Sequence, residues 1–243
     1  MLIRVLVFYV LAFLFTFILG GIQQAAAISQ QALILPQWGP GLAALSMLLI
    51  FRKDGHRLVV FARGVPASRY LLAALIPAGG GLLIYLLNSL LFHEPAFGDL
   101  TGVPWGLLLW VPLGAIGEEL GWRGYLHKRL DTRLPGLASS LVVGLLWALW
   151  HVGLYQNGAL YLAFFLLLMT SYTIVIYALV VDTGFNVVVA AIFHMMINVT
   201  NLFSFSVINE VGFMMLNALV WAGIAIVVVL TRRSLFTTKR ASQ

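Results

Sequence analysis

The chain has 243 residues, 62% of them hydrophobic and 9% charged, with no cysteine and a formal net charge of +6. A mean hydropathy of +1.01 excludes a soluble domain of this size, and the absence of thiols excludes disulfides, thiol catalysis and cysteine metal sites. The excess of Lys and Arg sits in short loops between apolar runs, as topology determinants do, and not in a patch suited to nucleic acid.

Several apolar runs approach or exceed the ~18 residues that mark a membrane-spanning helix. Lipid requires every backbone polar group to be satisfied within helices or a closed barrel, and the alternating pattern of a barrel is absent. The expected fold is an all-α, polytopic transmembrane bundle, a single integral membrane domain over 1–243, multi-pass and in the cell membrane.

In chain order, the first run is Val5 to Leu19, preceded by Arg4. It resembles a signal peptide with Ala25-Ala26-Ala27 as a cleavage region, but an uncleaved first span suits a multispanning protein better. The second is Trp38 to Phe51. A basic loop follows, Arg52-Lys53-Asp54-Gly55-His56-Arg57 with Arg63 and Arg69. The third runs from Tyr70 to Phe92, with a kink expected at Pro77 and Gly79-Gly80-Gly81. The fourth begins near Trp105 and is followed by Lys128, Arg129 and Arg133. The fifth covers Gly136 to Tyr155, the sixth Ala159 to Val181, the seventh Phe185 to Phe203 and the eighth Val211 to Leu230. The loops after spans two and four and the tail after span eight are basic. Those after spans one, three, five and seven carry no Lys or Arg. That places both termini in the cytoplasm.

Within the fourth span lies Gly117-Glu118-Glu119-Leu120-Gly121-Trp122-Arg123. Ionisable groups inside an apolar span are costly and mark functional sites. At ~1.5 Å per residue from the cytoplasmic end, Glu118 lies roughly 18 Å deep, His151 roughly 21 Å and His194 roughly 15 Å. Three helices therefore bring polar groups to one layer, provided helix four runs past Arg123. Residues four apart share a helix face, which pairs Glu119 with Arg123 and leaves Glu118 without a local partner. Trp147 and His151 share a face, as do His194 and Asn198. Gly114, Gly117, Gly121 and Gly124 permit close helix approach. His56, His93 and His127 read as loop or interface residues. Asn88, Asn201 and Asn217 read as interhelical hydrogen-bonders. Trp38, Trp105, Trp122 and Trp221 read as anchors or packing residues.

Glu-Glu-x-x-x-Arg at Glu118, Glu119 and Arg123, aromatic-x-x-x-His at Trp147 and His151, and His-x-x-x-Asn at His194 and Asn198 together resemble the CPBP family. These are intramembrane endopeptidases related to the type II CAAX prenyl protease and to bacteriocin-processing and self-immunity proteins. The resemblance covers about 105–203, the expected catalytic core. It departs from the family in one place, carrying Trp147 where Phe is usual. It implies hydrolysis of a peptide bond in a membrane-associated protein or peptide, a prenylated CAAX substrate or a leader peptide. Glu118 would activate water, with His151 positioning it. His194 and Asn198 would stabilise the oxyanion, with Glu119 and Arg123 in support. A metal-independent reaction without cofactor is favoured over zinc held by Glu118, His151 and His194, because the Glu-Glu pair lacks the i,i+4 histidines of a zincin helix. The other functional classes are a non-catalytic membrane scaffold or immunity protein and a proton-coupled transporter, for which internal repeats are expected and not found.

Overall fold

The structure is a computed structural model that describes residues 1–30, 33–92, 100, 103–204 and 206–237. Among these residues every regular element is helical: α1 (Leu2–Ala25), α2 (Gly39–Ile50), α3 (Ala67–Phe92), α4, α5 (Gly136–Trp150), α6 (Ala159–Val180), α7 (Val187–Phe203), α8 (Val211–Thr231) and the short α9 (Arg233–Thr237). The fourth helix, α4, is composite. An α-helical piece Val111–Glu119 passes into a π-helical segment Leu120–His127 and ends in the α-helical turn Lys128–Asp131.

Two boundaries differ from the sequence expectation. Helix α4 starts at Val111, not near Trp105, because Pro112 sits in its first turn and a 3-10 turn, Trp105–Leu109, leads into it. Helix α5 stops at Trp150, so that His151 lies just beyond it, with φ −79° and ψ 57°, ahead of a 3-10 turn Val152–Asn157. Helix α3 continues through Pro77.

Four helices are long and apolar enough to cross a membrane: Leu2–Ala25, Ala67–Phe92, Ala159–Thr183 and Val211–Thr231. Leu35–Ile50, Gly136–Trp150 and Val187–Phe203 are apolar but shorter. Burial separates their roles. In the most apolar window of each, 83% of the Ala159–Thr183 helix is buried but only 17% of α1. The first is therefore the central post and the second a peripheral one. Helix α6 packs between α5 and α8, which explains why it is apolar all round. Helix α7 packs on α3 and α4, and α2 on α1 and α4.

The basic loop after α2 is a strap across one end of the bundle. Asp54 accepts from Arg4 Nε at 2.6 Å and from Arg129 Nη2 at 2.7 Å, joining α1 to the end of α4. Lys128 Nζ donates to the Arg57 carbonyl at 2.9 Å, and His56 Nε2–H to the Gly124 carbonyl at 3.3 Å. The first amides of α7, Val187 and Val188, donate to the Val59 and Val60 carbonyls, and the Asn186 side chain accepts from Val188 and Val189. The strap thus satisfies helix-terminal donors that otherwise lack partners.

Candidate active site

Helix α4 does run past Arg123, as the sequence required, but not as a uniform α-helix. All eight residues of Leu120–His127 are buried. Winding with i→i+5 hydrogen bonds shifts the angular phase of everything beyond Glu119, and such segments recur at functional sites. His127, read from the sequence as a loop or interface residue, stands inside this segment and is fully buried. Its ring stacks on Tyr177 at 5.1 Å. His93 lies outside the described residues.

Arg123 and Glu119 are both fully buried, and Arg123 Nη1 donates to Glu119 Oε1 at 2.8 Å. Arg123 Nη2 donates to Thr173 Oγ1 on α6 at 3.0 Å. The guanidinium lies 4.0 Å from the Trp147 ring centroid on α5, a cation–π contact. Three helices are thus pinned by one side chain. Glu119 Oε1 also receives His194 Nδ1–H at 2.9 Å. With Nδ1 donating to this carboxylate, Nε2 is the ring nitrogen available to the cavity that His194 lines.

Glu118 has no partner within its own helix, and its two oxygens are held from elsewhere. Gln37 Nε2 donates to Oε1 at 3.1 Å and Trp147 Nε1 to Oε2 at 2.8 Å. Gln37, which sequence reasoning missed, stands on the 3-10 turn Leu35–Trp38 before α2. Its side chain occupies the space where Gly114 would carry a Cβ, so the glycine is what admits it. The family's usual Phe at position 147 has no N–H to give. His151 Nδ1–H donates to the Trp147 carbonyl at 2.8 Å, and His151 and His194 both lie within electrostatic reach of Glu118. The Trp147 and His194 rings meet edge to face at 5.1 Å.

A cavity of about 250 Å³ is lined by Trp147, His151, His194 and Asn198, with an apolar wall that includes Tyr161 and Phe165 of α6. A second, of about 230 Å³, is lined by Gln37, Trp110 and, again, Asn198. Glu118 is only 2% exposed and lies behind Gln37 and Trp147, each of which lines one of the two. Asn217 also faces the larger cavity, and its buried Oδ1 has no hydrogen-bond partner among the described residues. Its Oδ1 therefore does not make the interhelical hydrogen bond the sequence suggested.

Zinc would need Glu118, His151 and His194 to turn lone pairs on one point. Each Glu118 oxygen already accepts an N–H, and the Nδ1 atoms of both histidines are engaged with other groups, so the two rings could turn only their Nε2 lone pairs on such a point. Among the described residues no three or more of His, Asp and Glu cluster as a metal site.

Residues 100–200 match the family model of type II CAAX prenyl endopeptidase Rce1-like proteins. The core of this chain is thus similar to that family. It takes in all three motifs, from Glu118 to Asn198. The chain is also 24% identical over 213 residues to the lysostaphin resistance protein A of Staphylococcus haemolyticus, covering 83% of this chain and 57% of that protein. For the protein of that name from Staphylococcus epidermidis the identity is 25% over 213 residues, covering 83% and 54%. It is 35% identical over 98 residues to a CAAX prenyl protease 2 of Methanococcus maripaludis, covering 35% of this chain and 36% of the protease. The chain spans about half the length, or less, of these curated relatives. The apolar helices, with the family match over 100–200, make this a multi-pass integral membrane protein.

Proposed function

We propose that the protein is an intramembrane endopeptidase of the cell membrane in which Glu118 activates water against a peptide bond. The observation that carries this reading is a buried carboxylate held by two N–H donors beside a cavity lined by His151, His194 and Asn198. An ionised carboxylate has about four lone-pair sites. The two bonds to Glu118 leave others for a water. Glu118 takes a proton from that water as the oxygen attacks the carbonyl carbon, and later returns it to the leaving amine. His151 Nε2 orients the water. The oxyanion accepts from the Asn198 amide and from His194 Nε2–H. To make that donation His194 carries protons on both nitrogens, and Glu119, anchored by Arg123, offsets the charge. Donors of this kind supply a few kcal/mol of barrier reduction, about 3–4 kcal/mol each.

No metal takes part in this scheme. A metal-free preparation is expected to cleave with undiminished rate in chelator, and a stoichiometric zinc lost together with activity would overturn that. The substrate is a membrane-associated protein or peptide, a prenylated CAAX chain or a leader peptide. The apolar wall of Tyr161 and Phe165 suits a lipid chain or large apolar side chains. The test is a comparison of the membrane peptidome with wild type, E118Q and H194A. Loss of a general base typically removes about 10²–10⁴ of the rate and loss of an oxyanion donor about 10²–10³, so both variants should leave the substrate uncut. If the biological role survives both changes, the chain is a scaffold or immunity protein and the protease reading falls.

A further inference from the structure

A third cavity, at about 470 Å³ larger than the two above, opens at the end of the bundle where α1 begins and α4 ends. Asp54, His56 and Arg57 of the strap line it on one side, and Lys128, Arg129 and Arg133 on the other. Four permanent cations therefore face one carboxylate, and that carboxylate is already shared by Arg4 and Arg129. Among the described residues Arg57, Lys128 and Arg133 enter no ion pair. The hydrogen bond of Lys128 goes to a carbonyl, which leaves its charge uncompensated. Like charges gathered without a counter-charge repel one another, so this arrangement is stable with an anion between them.

We propose that this cavity binds a phosphate-ester anion, with the headgroup of an anionic phospholipid as the source its surroundings favour. The volume far exceeds the ~30 Å³ of one water and admits a headgroup. The walls are held in advance, since Asp54, His56 and Arg57 are each bonded across the cavity's rim to α4. The elements that frame it carry exposed apolar residues, Leu2, Ile3 and Leu6 on α1 and Val60 and Phe61 on the strap. Acyl chains can lie along these residues, whereas a free phosphate would make no use of them. Basic pockets between helices at an anionic leaflet recognise lipid headgroups in this way, at about 1 kcal/mol per Lys or Arg. That corresponds to about a fivefold change in affinity per cation.

The test uses the full chain in detergent micelles doped with phosphatidylglycerol or phosphatidylcholine, with soluble glycerol phosphate as a third arm. Melting temperature and adduct retention in native mass spectrometry are the readouts. Phosphatidylglycerol should raise the melting temperature and stay bound one to one, and phosphatidylcholine should do neither. R57Q/R133Q removes two exposed cations whose guanidinium groups make no hydrogen bond among the described residues, and should weaken phosphatidylglycerol about 25-fold. R57K/R133K should keep most of the binding. R52Q/R63Q removes the same charge from the strap outside the cavity and should change binding less than twofold. The single variants, at about fivefold each, carry the test if the double one does not accumulate. An equal loss in R52Q/R63Q, or none in R57Q/R133Q, overturns the site. Equal stabilisation by glycerol phosphate and phosphatidylglycerol overturns the lipid source.

Discussion

Trp147 touches more of the candidate site than any acidic or basic residue does. It donates to Glu118, lies under Arg123, meets the His194 ring and offers its carbonyl to His151. Replacing it with the usual Phe keeps the ring and removes the N–H. A hydrogen bond to a charged group contributes about 1.5–3 kcal/mol. W147F should therefore fold and lose roughly tenfold or more in kcat with little change in KM, measured on whichever substrate the peptidome comparison identifies. E119Q belongs to a different class. It leaves a fully buried guanidinium without its counter-charge, and breaking such a pair costs about 3–5 kcal/mol. E119Q should show up first as a lowered melting temperature and poor accumulation. The Glu119–Arg123 pair was legible in sequence because i,i+4 spacing is a local rule. Gln37 was not, since its bond to Glu118 spans 81 positions and no periodicity announces it. The indole of Trp147 was read only as a conservative ring, because its donor matters only once its target is known.

At the scale of the helix, sequence reasoning succeeded on extent and failed on winding. Continuation past Arg123 followed from depth alone. The π segment did not, because α and π turns draw on the same residue types and differ in which carbonyl each amide meets. His127, read as a loop or interface residue, is buried within that segment, and His151 was assigned to a helix that ends one residue before it. The close approach of α2 and α4 was better signalled, by glycine. A Cβ on Gly121 would stand 2.5 Å from the Pro40 carbonyl oxygen. G121A should separate the two helices at a cost of about 1–3 kcal/mol. It should also lower activity, since α2 follows directly on the turn that carries Gln37. Loss of stability with full activity would show that this contact does not position Gln37.

For the whole molecule, the helical membrane class followed from composition. The order of the apolar helices followed from the apolar runs. What those signals miss is how the loops tie the helices together, since such bonds depend on tertiary placement. The strap is the main case, and its two titrating groups set its response to acid. Arg4, and after it Arg129, hold the Asp54 carboxyl well below the usual carboxylate range. Its contribution is thus complete above the ordinary carboxylate pKa of about 3.9 and fades only as pH falls through the depressed value. Burial lowers the pKa of His56. The folded chain favours its neutral form, so stability declines once pH drops below about 6.5, where the unfolded chain takes up the proton. Melting temperature should fall between about pH 6.5 and 5 in wild type and fall less in H56Q. An identical slope in the two proteins would remove His56 from the account. The composite α4 has one further mechanical result. Glu118 and Glu119 stand just ahead of the π segment, and Lys128, Arg129 and Arg133 stand on and just past its far end. Unwinding or adding a single i→i+5 turn would rotate one group against the other. Such a change of winding would turn the strap's attachment points on α4 relative to the carboxylates.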